Sequence, residues 1–274
     1  MEKLLLVDGS NLLFQMFFGM PARIVNDQGK AIQGVLGFVG ALLKMIRQVS
    51  PTHLAVLFDS EQPNGRALAD PSYKANRKNE DAPFSQLDDI YEALDFMNIR
   101  HTETNGCEAD DLIACYALSL CQKMEVVIAS WDSDFFQLLS SQISVLRYRG
   151  KNTLLCTPTY VEDRFGVSPA LYADFKALTG DTADNIKGAP GIGPKTAAML
   201  LKEFGSLKAI LKNAPSIRKA AVRTSILQNS EKLQINYQLI KLGKAVPLPF
   251  ACCELAYCYN GITTNEALWG AGIR

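Results

Sequence analysis

KLLLVDG, residues 3–9, decides the fold. Four consecutive apolar residues, 4–7, stop at Asp8-Gly9, the pattern of a strand buried on both faces that ends at a turn. HLAVLF at 53–58 ends in the same way at Asp59, and EVVIA at 125–129 is followed shortly by Asp132. Stretches with helical character lie between them, at 35–49, 83–97 and 109–122. Strands alternating with helices predict an α/β fold with a mostly parallel central sheet flanked by helices. In such sheets ligands gather beyond the carboxyl ends of the strands, and here three strands each deliver an Asp to that edge.

Outward from these strands the texture changes twice. Residues 62–83 are polar, rich in turn formers and locally basic, with Arg66, Lys74, Arg77 and Lys78. The stretch is too long for a routine connection, so it reads either as a functional excursion or as disorder. From about residue 158 the chain turns helical, which predicts a core at 1–157 and a mostly α subdomain at 158–245. The tail, 246–274, is apolar and contains cysteine, and its pattern assigns it no role.

The length of 274 residues, 48% hydrophobic and 20% charged, suits one large or two small globular domains. No apolar run reaches the roughly 18 residues of a membrane helix, and the N-terminus lacks a signal-peptide pattern. The seven cysteines form no Cys-x-x-Cys pair, which excludes a zinc-ribbon pattern and fits a reducing cytoplasm. Formal net charge is zero, but the charges are segregated. Residues 185–244 carry eleven Lys/Arg against two acids, whereas 103–134 carry seven acids against Lys123 alone. Neutrality thus hides a basic surface beside an anionic pocket.

The acids fall in small groups at element ends: Asp8, Asp59, the run Glu108-Ala-Asp110-Asp111, the pair Asp132 and Asp134, and Asp181 with Asp184 in a GDTADN turn. A lone Asp after a strand is ordinarily a turn or cap residue. Nine carboxylates at strand ends and loops, few with a basic neighbour in the sequence, are costly to gather unless a cation joins them. Hard divalent ions take oxygen ligands, and two of them roughly 3.5–4 Å apart can activate water and stabilise both oxygens of a phosphodiester displacement. Further along, Gly188-Ala-Pro-Gly191-Ile-Gly193-Pro-Lys195 reads as a tight turn opening a helix, with Pro194 in the first turn. Such a helix–hairpin–helix start lets backbone N–H groups approach a phosphate, and Lys187, Lys195, Lys202, Arg218, Lys219 and Arg223 add positive charge.

Together LLLVDGSN, VLFDSEQPNGR, YKANR, EADD, WDSDFFQLL, ALTGDTADN and GAPGIGPKTAAMLL, in this order over residues 3–245, resemble the 5′-nucleases, the family of the 5′→3′ exonuclease domain of bacterial DNA polymerase I and of flap endonucleases. The resemblance implies a PIN-like core with an arch at about 62–83 and a duplex-binding helical subdomain. It implies two Mg²⁺ or Mn²⁺ ions per site. Asp8, Asp59, Glu108, Asp110 and Asp111 are similar to the first metal site and its surroundings, Asp132 to a bridging ligand, and Asp134, Asp181 and Asp184 to the second site. Lys74 and Arg77 are similar to residues that hold the scissile phosphate, so Asp8, Asp132, Lys74 and Arg77 are the expected catalytic set. Arg66, Lys74, Arg77, Lys187, Gly191, Gly193, Lys195 and Lys202 are the expected DNA contacts, with K⁺ held at the hairpin. Expected substrates are DNA with a 5′ flap, nick or gap, and RNA–DNA hybrid, cut by a cytoplasmic, nucleoid-associated monomer that stands alone without a polymerase module. Four positions depart from the family pattern: Gln15 replaces Arg or Lys, Gly65 an aromatic residue, Ala183 a small hydroxyl residue and Trp131 a small residue.

The residues also admit other readings. A non-catalytic DNA-binding protein of the same fold would not need every carboxylate. A PIN-like ribonuclease would need neither the hairpin nor the 62–83 excursion. A phosphatase with Asp8 as nucleophile would carry a carboxylate where Ser10 stands.

Overall fold

The computed structural model describes residues 2–20, 23–60, 66, 73–74, 83–104 and 106–273. Strands β1 (Lys3–Asp8), β2 (His53–Phe58), β3 (Arg100–Glu103), β4 (Glu125–Ala129), β5 (Ile143–Arg147) and β6 (Leu154–Cys156) form one sheet in the order β3-β2-β1-β4-β5-β6. All neighbouring pairs are parallel except β5 with β6. The three strands read from the sequence form the centre of this sheet. Leu4, Leu5, Leu6 and Val7 are completely buried, because helices cover both faces.

Alternation along each strand feeds two cores. Leu4, Leu6, Ala55, Leu57, Val126 and Ile128 face one, together with helix α4 (Ala109–Leu120). Leu5, Val7, Leu54, Val56, Phe58 and Val127 face the other, with helices α1 (Gly9–Gly19), α2 (Gln33–Val49) and α3 (Leu87–Phe96). The chain runs outward from β1 to β3 through α1–α3, then crosses back along the opposite face through α4 to enter β4 beside β1. Winding direction therefore reverses between β1 and β4, which places the crevice of this fold at the carboxyl ends of those two strands.

Beyond the sheet come α5 (Pro158–Phe165), α6 (Tyr172–Thr179), α7 (Pro194–Phe204), α8 (Leu207–Lys212), α9 (Ala220–Gln228) and α10 (Ser230–Ile240). A two-residue hairpin, β7 (Gly180–Asp181) with β8 (Ile186–Lys187), interrupts the helices. Gly180 makes it possible: its φ is +85°, and a Cβ there would stand 2.4 Å from the Gly188 nitrogen. The tail, to which the sequence pattern gave no role, returns to the sheet. Ala256 bridges His53, and the Tyr257 N–H donates to the Thr52 carbonyl at 2.8 Å. Helix α11 (Thr264–Gly270), capped by Thr263 and Glu266, buries Ala267 and Leu268 in the second core.

Candidate active site

Asp8 ends β1, caps α1 with one carboxylate oxygen and accepts from Ser130 with the other. Oδ1 accepts the Asn11 N–H at 3.0 Å and Oδ2 accepts the Ser130 hydroxyl at 2.7 Å. The bland reading of this residue as a cap is therefore correct, and the cap still leaves the carboxylate at the crevice. Ser130, just past β4, receives the Asp132 N–H at 3.0 Å, and Asp132 in turn accepts the Asp134 N–H at 2.8 Å. One relay of short hydrogen bonds thus fixes three acids from two strand ends.

Asp59 reaches across from β2 to accept the Ala109 N–H at 2.8 Å, which caps α4 from outside its own segment. Glu108, the residue at the cap position, makes no capping bond with its side chain. That side chain is held instead by Arg66, by Lys74 Nζ at 2.7 Å and by the Tyr73 hydroxyl at 3.2 Å. Arg66 also bridges to Asp111 at 2.9 Å. Tyr73 Oη stands 3.4 Å from Asp184 Oδ2, and the Lys74 N–H donates to the Asp184 carbonyl at 3.0 Å. The β7–β8 turn is thereby tied to the N-terminal half. Asp134, Asp181 and Asp184 offer oxygens that all lie within 4.8 Å of one another, with Lys176 paired to Asp134 and Asp181.

Crowding shows in the protonation of these groups. Burial first, then the charge of Asp59, pushes Asp8 up to about 7, against the hydrogen bonds from Asn11 and Ser130. Burial, with Asp132 and Asp8 as neighbouring charges, raises Asp110 well above the usual carboxylate range. Burial also pushes Asp134 up to about 7 despite Lys176. Glu108 goes the other way: burial opposes its ionisation, but Lys74 and Arg66 outweigh it. Burial likewise opposes the Lys176 ammonium, and Asp134, Asp132 and Asp181 together hold it charged. The Asp132 charge acts on Asp8 and Asp110 on one side and on Asp134 and Lys176 on the other. It stands electrostatically between two acidic groups.

The sequence-predicted acids are thus brought together at the switch point, in two linked groups. Three results differ from the sequence reading. The acids do have basic neighbours: Arg66, Lys74 and Lys176 enter from distant segments. Arg66, expected among the DNA contacts, is 4% exposed and engaged by Glu108 and Asp111. Lys176 carries no local signal, and Tyr73 enters the sequence reading only as the first residue of YKANR, with no role assigned to it. Gly65, Arg77 and Lys78, and most of the proposed arch, lie outside the described residues. In the helical half, Lys187 and Lys195 are exposed on either side of a turn in which Gly191 has φ +75° and Gly193 precedes α7, and Lys202 is exposed in the last turn of that helix.

An all-oxygen set of crowded, partly protonated carboxylates defines a site of the kind that takes hard divalent cations. The chain matches two family profiles, "5′-3′ exonuclease, N-terminal resolvase-like domain" over residues 3–166 and "5′-3′ exonuclease, C-terminal SAM fold" over 167–260, and it belongs to the 5′-3′ exonuclease family of nucleases. It is 38% identical over 249 residues to the thermostable DNA polymerase I of Thermus aquaticus, and 38% identical over 259 residues to DNA polymerase I of Rhizobium leguminosarum. Each match covers 90% of this chain but only 29% and 25% of those relatives, so the chain spans less than a third of their length. Among solved structures, the phage T5 5′-exonuclease with bound divalent zinc ions is 25% identical, with a TM-score of 0.72 over 87% of this chain and 89% of that one. The catalytic core of Rad2 in complex with DNA, 16% identical with a TM-score of 0.56 over 87% and 79%, shares the fold.

Proposed function

We propose that the chain hydrolyses phosphodiesters in DNA, and in RNA–DNA hybrid, as a divalent-metal-dependent 5′→3′ exonuclease and 5′-flap endonuclease. The observation that carries this reading is the meeting of Asp8, Asp59, Asp110 and Asp132 with Asp134, Asp181 and Asp184 at the β1–β4 switch point. The donor set fits two Mg²⁺ or Mn²⁺ ions. Asp8, Asp59, Asp110 and Asp132 would hold one, with Glu108 and Asp111 beside it, and Asp132, Asp134, Asp181 and Asp184 the other. Such ions supply water activation and neutralise charge on the reacting phosphate. The protein's own part is to hold the acids ionised and oriented, through Ser130, Asn11 and the cations Arg66, Lys74 and Lys176. Lys74, at the margin of the acids, is suited to a phosphate oxygen once cations relieve its pairing with Glu108. Arg77 is proposed for a neighbouring phosphate.

In this reading residues 1–157 form the cutting core, with the arch at about 62–83 admitting a 5′ strand. Residues 158–245 grip duplex through Lys187, Lys195, Lys202 and the Gly191–Gly193 turn, where backbone carbonyls would take K⁺. Substrates are 5′ flaps, nicks and gaps. The relatives' names support a role in DNA replication, which this reading narrows to primer removal and repair by a cytoplasmic, nucleoid-associated monomer. Among the described residues no helix is long and apolar enough to cross a membrane. The decisive experiment maps cleavage of an end-labelled 5′-flap duplex with Mg²⁺ and with EDTA, beside single-stranded RNA. Mg²⁺-dependent cuts at the flap base or 5′ end support the reading. Binding without cutting, or a preference for the RNA, overturns it.

A further inference from the structure

We propose that the β5–β6 turn, RYRGK at residues 147–151, is a second contact for the phosphate backbone of the nucleic acid, with Trp131 as its positioning residue. The proposal rests on the nuclease reading and adds a binding surface separate from the hairpin of the helical half.

Place comes first. β5 runs parallel to β4 with Leu146 opposite Ala129, so Arg147 emerges at the same sheet edge as Ser130 and Asp132. Charge comes second. The cations among the acids, Arg66, Lys74 and Lys176, are each paired with carboxylates. By contrast, Arg147, Arg149 and Lys151 put three cations into five residues, and among the described residues none of the three forms an ion pair. Arg149 and Lys151 are exposed. Cations left without protein anions beside a phosphodiester-cutting site complement a polyanion.

The turn is also held in place. The Trp131 ring has the Arg147 guanidinium 5.5 Å and the Arg149 guanidinium 5.9 Å from its centre, so one indole face system attracts both cations. Arg147 Nη2 donates to the Trp131 carbonyl at 2.9 Å. Trp131 Nε1 and Gln15 Nε2 both donate to the Tyr148 carbonyl, at 2.9 and 2.7 Å. The Arg149 N–H donates to Thr153 Oγ1 at 3.1 Å, and that hydroxyl donates to the Gly150 carbonyl at 2.7 Å. Two guanidiniums repel one another, and this scaffold fixes them together without an acid. The Gln15 amide thus supports the turn that carries the charge.

The test is salt-dependent binding of a fluorescent duplex with a 5′ single-stranded tail, measured by anisotropy in EDTA so that nothing is cut. Each neutralised phosphate contributes about 0.9 to the slope of log K against log salt. Arg149→Ala/Lys151→Ala is expected to lower that slope by about 1.8 and so, from a 1 M reference, to weaken binding roughly sixtyfold at 0.1 M salt. Trp131→Ala is expected to lower the slope although it removes no charge, and Trp131→Phe, which keeps a ring, to restore it. In Mg²⁺-dependent cleavage the alanine pair should raise KM and spare kcat. A wild-type slope in the alanine pair, with wild-type protein binding normally, overturns this contact and leaves the nuclease reading standing. Absence of salt-dependent binding by the wild type overturns both. Should the double variant fail to fold, Arg149→Ala alone, at an exposed side chain, reads the same slope with an expected change of about 0.9.

Discussion

Lys176 offers the sharpest test of how the acids are kept together. Its ammonium, with the side chain 7% exposed, pairs with Asp134 and Asp181 where a cation is electrostatically required. Lys176→Met keeps most of the volume and removes the charge, leaving buried carboxylates that repel each other. Breaking a buried pair by removing one partner costs roughly 3–5 kcal/mol. At about 2–4 °C per kcal/mol for chains of this order of size, the lower bound is a fall of about 6 °C in melting temperature. A divalent ion that fills the same role should restore stability, by about 2.7 kcal/mol at a hundredfold excess over its Kd. Thermal melts followed by far-UV circular dichroism, in EDTA and in excess Mg²⁺, measure both effects. The variant should be clearly destabilised in EDTA, and Mg²⁺ should close most of the gap. Its divalent affinity should rise, because no ammonium competes for the acids. An EDTA melt indistinguishable from wild type, or a deficit that Mg²⁺ leaves untouched, would refute the reasoning.

Asp132→Asn and Asp134→Asn are expected to leave duplex binding in a gel-shift assay nearly intact while removing Mg²⁺-dependent cleavage; undiminished cutting by either variant contradicts the ligand assignment. The pH dependence has a defined sign. Asp8 rises from 3.8 to about 7 in the folded state, so between those values the folded chain holds a proton that the unfolded chain has released. Metal-free stability should therefore fall as pH rises through that window, by up to about 1.4 kcal/mol per pH unit for this group. Melts in EDTA from pH 4.5 to 8 should show the decline, and Asp8→Asn should make it shallower, with Asp110 and Asp134 supplying the remainder. Mg²⁺ affinity should rise over the same interval, since the metal displaces that proton, and calorimetry in two buffers of different ionisation enthalpy would detect the release. Gly180→Ala, at φ +85° with a Cβ 2.4 Å from Gly188, should cost about 1–3 kcal/mol in backbone strain. By shifting Asp181 and Asp184 it should slow cleavage on the order of 10²-fold, and a wild-type rate would show that the turn tolerates displacement.

The sequence made legible those parts of the fold in which local pattern and tertiary role coincide. Strands β1, β2 and β4 are buried on both faces, so each reads as an apolar run that stops at its acid. β3, by contrast, is RHTE at the sheet edge, with no apolar pattern to reveal it. Helix α1 was missed because GSNLLFQMFFG lacks a polar stripe. The tail was opaque because its bonds to Thr52 and its packing on α2 and α3 join segments two hundred residues apart. At the site, the acids declared themselves at strand ends, whereas their cations did not. Lys176 sits in YADFKALT, where a lysine ordinarily reaches solvent, and only the fold shows it turned inward. Arg66 lies 42 residues from Glu108, so no neighbour in the sequence announces the pair.

The split origin of the carboxylates has a consequence for biosynthesis. Asp8, Asp59, Asp110 and Asp132 belong to segments made early, but Asp181 and Asp184 come from a hairpin that also anchors Tyr73 and Lys74. Because chains emerge from the ribosome N-terminus first, a nascent polypeptide shorter than this hairpin lacks two of the acids proposed to hold metal. In the nuclease reading proposed above, a product that ends before this hairpin is expected not to cut, and a 5′-flap assay on a chain truncated there checks it.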